Sequence, residues 1–167
     1  MRQPPGTEVI AVQSSNNGLG RYGEEVAARW LAAGGLRILE RNWRCAEGEL
    51  DIVALDGDTL AVCEVKTRSE RGFQQPSEGI DRTKAARLRH LAERWLGERW
   101  PVHFARLAQA AESGPCGEDN EAAPTREGVP KTLPPPPTPP GGVRIDLVAV
   151  VNRIKGAAQV EHLRGAV

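Results

Sequence analysis

The sequence predicts an α/β domain in which helices flank a mixed β-sheet, and three observations support this prediction. Helical and strand-like stretches follow one another in the order helix, strand, hairpin, helix, strand. The hairpin reads GELDIVALDGDTLAVCEVKTR and contains a two-residue turn signal at Asp56 and Gly57. Near the C-terminus, VRIDLVAVV is apolar almost throughout, which is typical of a strand buried on both faces.

The first half of the chain supplies a helix, a strand and the hairpin. Apolar residues recur at helical spacing from Asn17 to Ala33, and two glycines follow as an end signal. A short strand is predicted over Leu36–Glu40, before the hairpin of residues 48–68. Residues 1–16 are polar and irregular, so we expect a flexible lead-in there.

The second half begins with another helix and then loses its pattern. Ile80 to Leu96 carries one apolar stripe, and Val102–Ala105 is predicted as a short strand. Residues 107–142 are rich in proline, glycine and acidic residues. Such a segment buries too little apolar surface to offset the entropy of ordering, so we predict a disordered insert. The ordered part is then one domain made of residues 17–106 and 143–167.

Composition excludes some classes of protein and leaves others open. The chain has 167 residues, which suits one domain, and its 22 basic residues balance 22 acidic ones. The predicted insert is acidic, so the ordered part is mildly basic. No apolar run approaches membrane-spanning length, and no partner membrane is expected. Three cysteines without metal-ligand spacing indicate reduced thiols and a cytoplasmic location.

The hairpin carries an unusual concentration of charge in a segment that otherwise suits a core. With Asp56 and Gly57 as the loop, Asp51 would face Val62 and Glu49 would face Glu64. Side chains alternate between the faces of a strand, so Glu49, Asp51, Glu64 and Lys66 would share one face. Asp51 and Glu64 would be diagonal neighbours about 7–8 Å apart. A three-residue loop without a bulge would separate them onto opposite faces.

Two carboxylates at this spacing are suited to a divalent cation. Mg²⁺ prefers oxygen ligands at about 2.0–2.1 Å, and a bound cation polarises a phosphate oxygen and lowers the pKa of a bound water. Asp51 and Glu64 are the predicted metal ligands, and Lys66 would orient the water, help deprotonate it or stabilise charge on the phosphate. The alternative is a salt-bridged hairpin whose polar face is hydrated.

Charges on the two helices extend this candidate site. Glu24 shares a helical stripe with Ala27 and Leu31, where a buried carboxylate needs a partner such as a metal or a lysine. The alternative is that Glu24 lies in the first turn of the helix, where a negative charge is favoured without any partner. Lys84 lies on the apolar stripe of the second helix and either reaches a phosphate or extends to solvent. Arg44 and Arg87 are the other predicted contacts to a nucleic-acid backbone.

Taken together, these residues resemble a known nuclease motif. Asp51 followed by Glu64-Val65-Lys66, with a helical glutamate upstream, resembles the PD-(D/E)xK pattern and its archaeal Holliday-junction-resolvase branch. The segments RNWR, GELDIVALDG, CEVKTR, RIDLVAV and EHLRGAV make the chain similar to the YraN-like family of bacterial proteins. Two departures are Gln74 after Phe73, where the family tends to have glycine, and the long proline-rich insert.

The resemblance implies a restriction-endonuclease-like fold and a site for Mg²⁺ or Mn²⁺. It places Glu24, Asp51, Glu64 and Lys66 at the catalytic positions of the motif, and nucleic acid, most simply DNA, as the partner. It supplies no established substrate. A homodimer would fit the resemblance, and no residue pattern demands one.

Three functions therefore remain open from the sequence. The first is a metal-dependent endonuclease acting on branched or structured DNA. The second is a non-catalytic nucleic-acid-binding module that keeps the nuclease fold. The third is a protein-interaction scaffold with an inactive charged pocket.

Overall fold

The computed structural model describes the backbone of residues 8–70, 80–112 and 136–167, and the side chains of 18–70, 80–111 and 136–167. In chain order the elements are α1 (Glu8–Ala33), β1 (Arg37–Cys45), β2 (Gly48–Asp56), β3 (Thr59–Ser69), α2 (Arg82–Glu98), α3 (Trp100–Glu112), β4 (Val143–Asn152) and β5 (Gln159–Leu163). The predicted class, a mixed sheet flanked by helices, is confirmed and is consistent with a restriction-endonuclease-like fold.

The five strands form one sheet in the order β1-β2-β3-β4-β5. Neighbouring strands are antiparallel except for β3 and β4, which are parallel and are joined through the helical segment between them. The predicted strand VRIDLVAVV lies inside the sheet, between β3 and β5, which explains its nearly continuous apolar character.

Two compact units divide the chain. One contains residues 1–92 and 139–167, and the other contains residues 93–138. In the second unit the ring of Trp95 stacks on His103 with centroids 5.3 Å apart, and Trp100 Nε1 donates to the carbonyl of Pro137 at 2.9 Å. The first unit holds the whole sheet and every candidate site residue.

Helix α1 covers one face of the sheet. Its buried residues Ala27, Ala28 and Leu31 pack with one set of alternating strand residues, and the buried part of this cluster also contains Leu36, Ile52, Ala54, Ala61, Cys63, Val148 and Val150. The helix ends where the sequence predicts, because Gly35 has a φ of 94° and Leu36 N donates to the Leu31 carbonyl at 3.0 Å.

The opposite face carries the other alternating set. Val53, Leu60, Val62, Ile145 and Leu147 are buried there. Glu64 pairs with Leu147 across β3 and β4, so it belongs to this face. The alternation of the sheet therefore places the charged part of the hairpin opposite α1.

Several predicted boundaries were wrong. Helix α1 begins at Glu8, not at Asn17, so residues 8–16 of the expected lead-in are helical. The predicted strand Val102–Ala105 lies inside α3, because Pro101 fits the first helical turn and the alanine-rich segment after it favours a helix. Strand β5 was not predicted at all. Residues 107–112 of the predicted disordered insert form the end of α3, and the disorder predicted for 113–135 stays a prediction because they lie outside the described residues.

The hairpin register also differs from the prediction. The closing pair is Asp56 with Thr59, so the two loop residues are Gly57 and Asp58. Gly57 has a φ of 63° and is the first loop residue, where the type II′ turn prefers glycine. The last backbone pair of the two strands is Ile52 with Cys63. The next position along each strand places Asp51 opposite Glu64, and not diagonal to it as predicted. Their shared face is kept because the register moved by an even number of residues.

Among the described residues, none of the helices has both the length and the apolar character that a bilayer crossing requires.

Candidate active site

Asp51 lies where the pairing of β2 with β3 ends. The last backbone pair joins Ile52 to Cys63, and beyond it the N–H of Val65 donates to Asp51 Oδ2 at 2.8 Å. The carboxylate thus takes the position that a strand carbonyl would otherwise occupy. This bond holds Asp51 beside the neighbour of Val65, which is Glu64.

Glu64 is nearly buried and is held by two lysines. Only 9% of Glu64 is exposed. Lys66 Nζ lies 3.1 Å from Glu64 Oε1, and Lys84 Nζ donates to the same oxygen. Burial of a carboxylate is costly unless it is paired, and here two ammonium groups supply the pairing.

Helix α2 places Lys84 in this network through its N-terminal cap. Asp81 Oδ1 accepts a hydrogen bond from the backbone N–H of Lys84 at 2.7 Å, three residues further on. This is the usual capping geometry, and it fixes the first helical turn. The side chain of Lys84 turns toward Glu64, and its predicted contact with a phosphate stays a prediction.

The electrostatic environment favours a cation near Asp51. Burial is the main reason that the pKa of Asp51 is raised to about 6, although the bond from Val65 favours the charged form. The negative charges of Glu64, Glu24 and Glu49 raise this pKa further. Asp51 is therefore a desolvated carboxylate among other carboxylates, which is the setting that a bound cation would relieve.

The Lys66 ammonium keeps its proton. Burial disfavours the charged form of Lys66, but the contact with Glu64 and the negative charges of Glu64 and Asp51 outweigh burial and raise its pKa. A lysine that stays protonated at neutral pH is a poor base. Of the three predicted roles, stabilising negative charge on a phosphate fits this environment best.

Glu24 approaches Asp51 from α1 because a glycine lets the helix lie close to β3. A Cβ on Gly23 would fall 1.7 Å from Thr67 Oγ1, so no larger residue fits at this crossing. Glu24 follows Gly23 directly, and its charge acts on Asp51. Glu24 is thus near enough for its charge to act on Asp51, although α1 covers the other face of the sheet, and Glu64 and Lys66 form an ion pair next to Asp51.

The three remaining charged residues of the prediction lie at its border. Glu49 pairs with Arg44 at 3.1 Å, and 72% of the Arg44 side chain is exposed. Arg87 lies against the β1–β2 turn, where a Cβ on Gly48 would come within 2.6 Å of its Nη2. Both arginines face solvent, and the exposed ion pair of Glu49 with Arg44 lies at the solvent side of the site.

A cleft of about 450 Å³ opens beside this site, between α1 and β1. It is lined by Arg21, Tyr22, Glu24, Glu25, Arg41, Asn42 and Arg44. Sequence reasoning singled out only Glu24 and Arg44 among them. The others were missed because they come from two separate elements and form no motif; their only signal is the repeated pairing of arginine with an aromatic or polar neighbour.

A second buried polar cluster lies on the α1 face of the sheet. Ligand atoms of Cys63, Asp146 and His162 lie within 4.8 Å of one another, close enough to hold a metal ion. Asp146 Oδ1 also accepts bonds from Arg144 Nε at 2.8 Å and Gly165 N at 2.9 Å, and its Oδ2 accepts one from His162 Nε2 at 2.8 Å.

These hydrogen bonds compete with any metal in the second cluster. Burial would raise the pKa of Asp146, but the bonds from Arg144, Gly165 and His162 outweigh it and lower that pKa. Burial, with the nearby charge of Asp146, raises the pKa of Cys63 to about 12, so the thiol stays protonated. Sequence analysis assigned His162 no role, yet an aspartate inside the apolar run RIDLVAV is the signal that could have found this cluster.

Comparison with known proteins identifies the relatives of this chain. Residues 23–150 match the sequence model of the uncharacterised protein family UPF0102. A UPF0102 protein of Beutenbergia cavernae is 45% identical over 151 residues, which cover 90% of this chain and 97% of the relative. One of Streptomyces griseus is 44% identical over 152 residues, covering 91% and 98%. The predicted resemblance to the YraN-like family is confirmed, since the two descriptions refer to one family.

Proposed function

We propose that this chain, which belongs to the uncharacterised protein family UPF0102, is a metal-dependent nuclease that acts on DNA. The observation that supports the proposal is the meeting of Asp51 and Glu64 at the end of the β2–β3 pairing, with Lys66 beside them. Burial and neighbouring carboxylates raise the pKa of Asp51 to about 6, so the donor set fits a hard divalent cation such as Mg²⁺ or Mn²⁺.

Each side chain then has a distinct task. Asp51 and Glu64 offer the oxygen ligands, and Glu24 adds negative charge next to them. When bound, the cation would polarise a phosphate oxygen and lower the pKa of a water. Lys66, which keeps its proton, stabilises the negative charge of a phosphodiester at this place.

Lys84 has a positioning role in this proposal. It anchors Glu64 from the first turn of α2, and it presents a second ammonium group at the same place. Two ammonium groups beside two carboxylates suit the binding of a phosphodiester and a cation together, since each charge type has a counterpart.

One observation favours a second candidate function. Glu64 is already neutralised by Lys66 and Lys84, and a cation would have to compete with those ion pairs. A module that binds nucleic acid without cutting it would keep this network intact. It would bind DNA in a salt-dependent manner and show no turnover with either metal.

Cleavage assays separate the two functions. Wild-type protein with Mg²⁺ or Mn²⁺ is expected to nick branched DNA, and Asp51→Ala is expected to reduce cleavage to background because one ligand is lost. Asp58→Ala, which removes an exposed carboxylate from the loop of the same hairpin, serves as the matched control and should cleave normally. Equal cleavage by wild type and Asp51→Ala would point to a contaminating nuclease and contradict the proposal.

A further inference from the structure

The cleft between α1 and β1 has accessible positive charge. Arg21 makes no ion pair or hydrogen bond within the part of the chain that the structure describes. Arg44 is largely exposed, and its partner Glu49 is exposed as well. Exposed ion pairs contribute little to stability, so a phosphate can compete for these guanidinium groups at small cost.

The two glutamates of the cleft do not cancel this charge. Glu25 accepts from Arg29 Nε at 2.8 Å and from Arg41 Nη1 at 2.7 Å, and these two arginines keep its pKa low through hydrogen bonds and charge. Glu24 lies at the boundary shared with Asp51. The negative charge of Glu25 is thus balanced by two arginines, and Glu24 is the other carboxylate of the cleft lining.

An aromatic side chain forms part of the cleft wall. Tyr22 is 43% exposed, and it follows Arg21 on the same helix. An open aromatic face next to arginine is the combination on which proteins stack an unpaired base while holding its phosphate. Paired bases are stacked on each other and offer no free face to such a ring.

The size of the cleft also suits a single unpaired nucleotide. A volume of about 450 Å³ lies toward the low end of small-ligand sites, which run from about 300 to 1,000 Å³. A space of this size can take one nucleotide.

We propose that this cleft holds one unpaired nucleotide of the strand whose phosphodiester lies at Asp51 and Glu64. The inference deepens the proposed nuclease function by naming its substrate class: a strand that is unpaired next to the cleaved phosphodiester, as in single strands, flaps and branch points. Its binding part does not depend on cleavage, because the cleft and the carboxylates use different residues apart from Glu24.

Binding measurements in EDTA test the cleft separately from catalysis. Fluorescence anisotropy with a labelled oligothymidylate and with a blunt duplex of equal length would be compared at low salt. Wild type is expected to bind the single strand more tightly. Tyr22→Ala should weaken single-strand binding about fivefold or more, because stacking on one aromatic ring is lost, and should leave duplex binding unchanged. Tyr22→Phe keeps the ring and should bind as wild type does.

Charge is tested with a matched pair of arginine variants. Arg21→Ala removes a guanidinium group from the cleft, whereas Arg89→Ala removes one from the exposed surface of α2 outside the cleft. Arg21→Ala should weaken single-strand binding and reduce its salt dependence by about one ion, and Arg89→Ala should change both less.

The outcomes distinguish this inference from the proposed function. Equal binding of single strand and duplex, no binding of either, or a Tyr22→Ala variant that binds the single strand as wild type does would overturn it. Selective single-strand binding that is lost with Tyr22→Ala supports it, whatever the cleavage assay shows. Loss of cleavage with Asp51→Ala alone bears only on the catalytic proposal.

Discussion

The buried position of the Asp51 carboxylate lowers the stability of the fold when the group is ionised. Its pKa is raised from 3.8 to about 6, first by burial and then by the neighbouring carboxylates. The folded protein therefore holds this proton more tightly than the unfolded chain does. Ionisation above pH 6 costs folding free energy of about 3 kcal/mol at most, and this cost disappears as the pH falls from 6 to 3.8.

Asp51→Asn should consequently stabilise the protein at neutral pH. We expect the free energy of unfolding in EDTA to rise by about 1–3 kcal/mol near neutral pH, since the amide oxygen can still accept the Val65 N–H. Urea unfolding at several pH values measures the effect. The gain should shrink below pH 6 and vanish near the ordinary pKa of aspartate, and a gain that is independent of pH would contradict the assigned cause.

Most of the individual residues of the candidate site could be predicted from the sequence. The identities of Asp51, Glu64 and Lys66 followed from alternation along two strands, and their shared face was kept although the turn proved to be Gly57-Asp58. Alternation depends only on parity, so an even shift in register leaves the facing set unchanged. The partner of Lys84 was not predictable, because it depends on how α2 docks on the sheet and not on spacing within α2.

Among the elements, the packing of α1 on β3 positions Glu24. The crossing has room for no side chain at Gly23, where a Cβ would meet Thr67 Oγ1 at 1.7 Å. Helix and strand must therefore separate if any other residue stands there, and Glu24 would move away from Asp51 with the helix.

Gly23→Ala tests this crossing. Overpacking should lower the free energy of unfolding by about 1–3 kcal/mol, as measured by urea denaturation. Gly20→Ala is the control in the same helix, since a Cβ there has nothing within 4 Å, and the higher helix propensity of alanine should stabilise the protein by about 0.5–1 kcal/mol. Equal effects of the two substitutions would show that the close approach to Thr67 does not matter.

Long, periodic elements were predicted well and short ones were not. The end of α1, the hairpin and β4 carry strong local signals. Strand β5 has five residues with an exposed, weak pattern, and it exists because it pairs with β4 and because His162 and Gly165 near its end bond to Asp146. Such a strand is created by tertiary contacts, which no local pattern contains.

Viewed as a whole molecule, the candidate site is assembled by the fold and not by one segment. Residues from α1, β2, β3 and α2 converge on it, all within one compact unit. The curated relatives match this chain over nearly their full length, so the arrangement is built from the part of the chain that the family shares. The family resemblance allowed the site residues to be predicted from the sequence. The cleft beside them could not be predicted, because it is formed by the packing of α1 against β1.

The claim that these carboxylates form a divalent-cation site is tested most directly by calorimetric titration of Mn²⁺. Wild type should give a saturable isotherm near one ion per chain, Asp51→Asn should give none, and Asp58→Asn should match wild type. Cys63→Ser reports on the competing Cys63, Asp146 and His162 cluster and should also match wild type. If Asp51→Asn binds Mn²⁺ as well as wild type does, or if binding is lost only with Cys63→Ser, the ion does not lie between Asp51 and Glu64.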